Sequence, residues 1–259
     1  MKNTIKTFAL FLTAGAMLAS CDSYLDRQPD EPLTSDNIFK KQKTTLQYLT
    51  NIYSYQPDYE APACVSSNDD IPWEACSDET SFAYLDRSYT QINYNSWNPS
   101  MYLYRNDTYN TPYKGIREAN YFMQHVHECP ELTDTDKGYY YNEARFLRAH
   151  FYAMMLPVYG PVFLIGDDPV DFTQSGLDQR ERNTWDECVN YVANELWEAA
   201  KGLPDSWPDI YYGRATKGAA LAARARLLLY SARKLFNGNE LYKGIVNRNG
   251  DHLFPCLLY

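Results

Sequence analysis

The chain is poor in the residues from which most metal and nucleophile sites are built. It holds 4 His, and His125, His127, His150 and His252 form neither an HExxH pair nor a recognisable nucleophile site. Its 6 cysteines include no CxxC and no Cys/His pattern of zinc spacing, so no metal site is indicated. Basic residues are few as well. With Lys2 and Lys6 of the first twenty residues set aside, 22 basic residues face 33 acidic ones, a net of −11, and no run of Lys or Arg reverses that locally. Phosphate backbones repel such a surface, which argues against nucleic acid as a partner. Glycoside hydrolysis needs two carboxylates placed across one sugar bond. The adjacent acids Asp69-Asp70 and Asp167-Asp168 are not that arrangement, so the chain reads as a non-enzyme.

Aromatics, in contrast, are abundant: 24 Tyr, 11 Phe and 5 Trp make 15% of 259 residues. Tyrosine joins a flat apolar body to a polar tip, which suits both a helical core and a sugar-binding surface. At 45% hydrophobic and 22% charged residues the balance is that of a globular chain with one sizeable core or two modest domains.

The first twenty residues read as an export signal. Lys2 and Lys6 supply a positive start, and Phe8 to Leu18 is an apolar run too short to remain as a bilayer-spanning helix. Leu18-Ala19-Ser20-Cys21 then resembles a bacterial lipobox, in which the cysteine becomes the acylated first residue; the alternative is a cysteine in a loop after an ordinary signal peptide. No other stretch approaches the roughly 18 consecutive apolar residues of a membrane span. Removing Cys21 leaves Cys64, Cys76, Cys129, Cys188 and Cys256, an odd number, so one thiol stays unpaired; Cys64 and Cys76 could close a loop.

Residues 21–35 are polar and contain Pro29 and Pro32, as an extended tether would. From 36 onward the pattern is helical. Ser35 or Asp36 caps a helix carrying Ile38, Phe39, Leu46, Leu49, Ile52 and Tyr53, ended by Pro57. Asp58 to about Pro99 has no sustained period and reads as one long irregular segment, too apolar through Trp73, Phe82, Tyr84 and Trp97 for disorder. Helical spacing returns after Pro112 with Ile116, Ala119, Phe122, Met123 and Val126. A further helix runs from Thr133 or Asp134 to about Tyr159, bent by Pro157 and stopped at Gly160-Pro161. Thr184 and Glu187 form a capping box for a helix that closes at Gly202 and Pro204. Thr216 caps the last helix, whose Ala219, Ala223, Leu227, Tyr230 and Leu235 share a face. Its alanines permit close helix approach, in the manner of tetratricopeptide-like pairs. Arg145 and Arg148, with Glu143 near both, read as an ion-pair cluster that ties helices together rather than as a ligand site.

Five stretches in order carry a family resemblance: "CDSYLDRQP" from Cys21, the pair "SDE" and "WNPS" within 77–100, "YKGIREAN" at 113–120, "NEARFLRAHFYAMMLPVYGPVFL" at 142–164, and "GRATKGAALAARARLLLYSARKLFNGN" at 213–239. Together they resemble the amino-terminal part of a SusD/RagB-family nutrient-binding lipoprotein. The resemblance implies a mainly α fold of tetratricopeptide-like helix pairs in a right-handed superhelix with a long irregular insertion. It implies lipid attachment at Cys21, an outward-facing place on the outer membrane, and no catalysis. The implied ligand is a starch-like or other oligosaccharide, or a peptide, delivered to a SusC-like TonB-dependent transporter. Aligning "SDETSFAYLDR" on the family's ligand loop puts Phe82 and Tyr84 where starch-binding members carry tryptophans, with Arg87, Asp86 or Asp78 as partners for hydroxyls. Trp97 is matched by the family but also reads as packing for the loop. Trp73 is a candidate as an exposed aromatic alone. No cofactor is implied beyond calcium by analogy, for which no EF-hand loop marks a site. Because family members are longer and the sequence stops at "HLFPCLLY", residues 36–259 are expected to lack the carboxyl-terminal part of the fold, to expose apolar helix surface, and to bind ligand weakly or not at all. The rival reading is a lipid-anchored helical-repeat adaptor that binds only proteins.

Overall fold

The computed structural model describes residues 35–56, 77–78, 88–96, 98, 109–167 and 180–255. Seven α-helices lie in these residues: α1 (Ser35–Ile38), α2 (Gln42–Tyr53), α3 (Ser88–Asn93), α4 (Asn110–His125), α5 (Asp134–Tyr159), α6 (Trp185–Gly202) and α7 (Lys217–Ser231). Short 3-10 turns occur at Val126–Glu128 and Asp209–Tyr211. Among the described residues there is no strand, only an isolated antiparallel bridge between Val246 and His252. The mainly α fold class holds.

Local chemistry explains the helix starts. Thr133 accepts from Asp136 N to open α5, Thr184 and Glu187 form the reciprocal capping box of α6, and Thr216 accepts from Ala219 N to open α7. Gly160 stops α5 with φ +67, a conformation that favours glycine, while its N–H reaches Leu156 O. Pro157 lies inside the last turn, and α5 continues past it to Tyr159.

Three boundaries differ from expectation. The first predicted helix is two, broken at Phe39–Lys41. Thr44 Oγ1 donates to Ile38 O at 2.6 Å, and the break tucks Phe39, 4% exposed, among Tyr48, Tyr121, Phe122 and His125. The aromatic cluster outweighs helix continuity. α4 starts at Asn110, ahead of Pro112, which sits in the first turn where its missing N–H costs nothing. The segment read as wholly irregular contains α3. In addition, α7 ends at Ser231, leaving Leu235 43% exposed beyond it.

Helices pack in chain order, α4 on α5, α5 on α6 and α6 on α7, with α2 laid across α4 and α5. Successive helices stacked as pairs form the scaffold. The core runs through Ile52, Ile116, Phe122, Leu147, Phe151, Met155, Trp185 and Leu196, each 2% exposed or less. Each such side chain contributes about 1.5–3 kcal/mol of transfer free energy. At Gly115 α4 and α5 approach closely: a Cβ there would lie 2.5 Å from the ring of the buried Phe151. The tail after α7 is held by aromatic stacking, Trp185 on Phe236 with centroids 4.0 Å apart, and by Trp185 N donating to Leu253 O at 2.8 Å. α7 itself turns Leu228 and Leu229 toward solvent.

Candidate functional site

Cys21, Trp73, Phe82, Tyr84, Asp86, Arg87 and Trp97 lie outside the described residues, as do Cys64 and Cys76. Asp78 is described and exposed. Two buried polar clusters organise the remainder, and one of them floors a cavity.

The first cluster fastens the segment after α5. Arg148, 2% exposed, donates from Nη1 to Asn120 Oδ1 at 2.6 Å and to Asp167 Oδ1 at 2.7 Å, and from Nη2 to Glu195 Oε2 at 2.5 Å. Arg145 adds two bonds to the same Glu195 carboxylate at 3.0 and 2.7 Å. Burial alone would raise the Glu195 carboxyl, but the hydrogen bonds and charges of Arg145 and Arg148 hold it below its ordinary value. Around this cluster, residues 161–167 run as an extended strap whose backbone is satisfied by side chains. Tyr113 donates to Phe163 O at 2.6 Å, Tyr152 Oη accepts from Ile165 N at 2.8 Å, Asn120 donates to Gly166 O at 2.8 Å, and Leu164 N donates to Asn183 at 2.9 Å. The two arginines do tie helices together. Their expected partner Glu143 does not take part: at two and five residues' distance it faces neither of them, because only i,i+3 and i,i+4 residues are neighbours on a helix. Asp167, half of an adjacent-acid pair, is engaged by Arg148.

Glu143 belongs to the second cluster. Fully buried on α5, it receives Arg214 Nε at 2.8 Å, a further bond from Arg214 Nη2, and the hydroxyl of Tyr53 from α2. Tyr53 Oη in turn accepts from Ala215 N at 2.9 Å. Burial, then the charge and hydrogen bond of Glu143, push the Tyr53 phenol well above its usual range, so it remains a donor. The Arg214 guanidinium is enclosed by the rings of Trp207, Tyr140 and Tyr211, with its carbon 4.1, 4.7 and 5.2 Å from their centroids. Trp207 Nε1 is fixed to Ala215 O at 2.7 Å. Gly213, φ +94, makes the reversal that sends Arg214 inward.

Above this floor lies a cavity of about 290 Å³ lined by Leu46, Leu49, Thr50, Tyr53, Glu143, Tyr211, Tyr212, Gly213 and Arg214. Tyr212 is 95% exposed at its rim, and Ile210 on the same turn is 82% exposed. Sequence reasoning missed this site. The signal available was "IYYGR", two tyrosines and a turn glycine before an arginine; Tyr53 and Glu143 join it only through the fold. Cys129 and Cys188 are free and buried, and burial raises the Cys188 thiol to about 11. Among the described residues, no group of three or more His, Cys, Asp and Glu is placed to hold a metal ion, and no helix is long and apolar enough to cross a membrane.

A family model described as SusD-like, "starch-binding associating with outer membrane", matches residues 23–229. The chain belongs to the SusD-like family. A SusD-like protein from Bacteroides fragilis NCTC 9343 is 26% identical, with a TM-score of 0.60, over 76% of this chain and 36% of that one. The protein BT4246 is 25% identical, with a TM-score of 0.70, over 85% of this chain and 37% of that one. Surface glycan-binding protein A from Bacteroides thetaiotaomicron, in complex with laminarihexaose, shares the fold at 16% identity and a TM-score of 0.58, over 74% of this chain and 39% of that one. The chain thus spans less than two-fifths of the length of these SusD-like structures. No curated protein matches it.

Proposed function

We propose that this chain acts in a cell-surface glycan-binding lipoprotein of the outer membrane. In this reading it is acylated at Cys21, is non-catalytic, and passes an oligosaccharide to a SusC-like TonB-dependent transporter. The family match over residues 23–229 carries the reading, since that family is described as starch-binding and associated with the outer membrane. A laminarin-binding SusD-like protein with the same fold, at 19% identity and a TM-score of 0.62, adds support. The paired helices serve as a rigid support, and Phe82, Tyr84 and Arg87, with Trp73 and Trp97 nearby in sequence, serve as the aromatic and polar ligand face. A tyrosine in place of a family tryptophan still offers a stacking face for the C–H side of a pyranose.

The test is retention of the protein in native gels containing laminarin or starch, followed by calorimetry with laminarihexaose and maltohexaose. Weak retention that Tyr84→Ala and Arg87→Ala lower further is the expected result, with every saccharide recovered uncleaved. Silence toward all glycans with binding to peptides would favour a peptide-binding or adaptor role, and cleavage products would favour an enzyme. Attachment is read separately, by incorporation of an alkyne-tagged fatty acid that Cys21→Ala abolishes.

A further inference from the structure

The Tyr212 cavity is separate in sequence from every residue in the proposed ligand face, and its chemistry points to a guest of its own. Its volume of about 290 Å³ lies just below the roughly 300 Å³ at which small-molecule pockets begin, which fits a guest of a single ring. The walls are apolar: Leu46 and Leu49 from α2 and the faces of Tyr53, Tyr211 and Tyr212. The polar atoms at the floor are engaged with one another, Glu143 by Arg214 and Tyr53, and Tyr53 by Ala215 N. They support the site and leave recognition to the rim.

The rim is different. Tyr211 and Tyr212 make no hydrogen bond through their hydroxyls among the described residues, and the exposed Thr50 donates its hydroxyl to Leu46 O at 2.9 Å, which leaves its oxygen as an acceptor. A ring as exposed as Tyr212 gains by being covered, and phenol hydroxyls beside it keep a covered guest hydrogen-bonded. An apolar wall with hydroxyls at its edge matches a molecule with C–H faces and equatorial hydroxyls. The turn that presents it is tied down by the enclosed Arg214 and by the Trp207 to Ala215 bond before any guest arrives. Such pre-organisation removes part of the ordering cost of binding.

We propose that this cavity binds one pyranose unit of a glycan, as a second carbohydrate contact distinct from the candidate residues Phe82, Tyr84 and Arg87. Tyr212 is its stacking platform, the Tyr211 hydroxyl bonds a sugar hydroxyl, and Thr50 Oγ1 accepts from another. The proposal rests on the glycan-binding reading above.

Leucine methyl spectra of the isotopically labelled protein, titrated with laminarihexaose and with maltohexaose, test it. Saturable shifts of the Leu46 and Leu49 methyls with at least one hexasaccharide are expected. Tyr212→Ala should weaken them about fivefold, the loss of one aromatic contact, and Tyr84→Ala should leave them in place. Tyr212 is almost fully exposed, so its removal does not threaten folding. A hexasaccharide that binds by calorimetry while both methyls stay still, or that shifts them at the same concentrations in the Tyr212→Ala protein, overturns the cavity proposal and leaves the glycan reading intact. If neither saccharide binds by any method, the glycan reading fails and the cavity proposal with it. Methyl shifts produced by a leucine- or phenylalanine-containing peptide and by no saccharide would make the cavity an anchor for polypeptide and also overturn it.

Discussion

Arg148 Nη2 stands 2.5 Å from Glu195 Oε2, an ion pair between α5 and α6 in which the two side chains are 2% and 8% exposed. Two charges withdrawn this far from water repay their desolvation only while paired, and removal of Arg148 leaves Glu195 to Arg145 alone. Arg148→Ala should destabilise the protein by about 2–3 kcal/mol, less than the cost of a fully unpaired buried charge because Arg145 stays on the carboxylate. It also releases Asn120 and Asp167, and with them the strap at 161–167. Lys217→Ala, which breaks a 3.9 Å pair with the 90% exposed Asp205, should change stability by under about 1 kcal/mol. Urea unfolding of both variants checks the contrast, and equal effects would refute the assignment of Arg148 as the tie.

Arg214 offers a second test, because it is held by shape as well as charge. Its planar fork meets Glu143 through two nitrogens while its face stacks on Trp207 and Tyr140. Lysine keeps the charge and loses both features. Arg214→Lys should cost about 2 kcal/mol, one cation–π contact plus one charged hydrogen bond. It should also shift Trp207 fluorescence. A variant as stable as the parent would mean that charge alone closes this cluster.

These two clusters show where sequence reading reached and where it stopped. Caps at Thr184 and Thr216 are visible because a cap is a local bond over three residues, and of the two starts open for α5, Thr133 or Asp134, the structure takes Thr133 as the cap. Helical faces through Ile116, Phe122 and Leu147 follow from period alone. The partner of Glu143 does not, since Arg214 lies 71 residues away and Tyr53 lies 90 away. The break at Phe39–Lys41 was equally hidden: the apolar pattern was right, but only the fold brings Tyr121 and Phe122 to the ring of Phe39. Of the cavity, the chain advertised the tyrosines of one turn and concealed the α2 wall opposite.

Gly115 provides a test of packing. A methyl group at this position would lie 2.5 Å from a ring carbon of Phe151, itself fully buried and unable to swing into solvent. Helix propensity favours alanine by up to about 1 kcal/mol, and overpacking opposes it by about 1–3 kcal/mol. The steric term should win. Gly115→Ala is therefore expected to lower the melting temperature. The double variant Gly115→Ala, Phe151→Leu should recover part of the loss, by opening space where the methyl sits. Stabilisation of the single variant would show that α4 and α5 can move apart freely.

His150 supplies a pH signature. Its ring stacks on Phe146, with centroids 5.5 Å apart and planes 10° from parallel, and its Nδ1 is buried without a hydrogen-bond partner. Burial, with the charge of Arg226 on α7 adding to it, lowers the imidazole from 6.5 to about 4. The unfolded chain therefore takes up a proton on this residue at a higher pH than the folded one does. Its contribution to stability is complete above about pH 6.5, declines as pH falls toward 4, and is constant below that. Glu195, whose carboxyl is held below its ordinary value of 4.5, adds a separate loss at lower pH, and that loss is common to parent and variant. His150→Leu should thus flatten the stability profile between pH 6.5 and 4 while leaving the more acidic limb unchanged. Urea midpoints measured across that range in parent and variant give the difference directly. Parallel profiles would show that the folded protein protonates His150 as readily as the unfolded chain does.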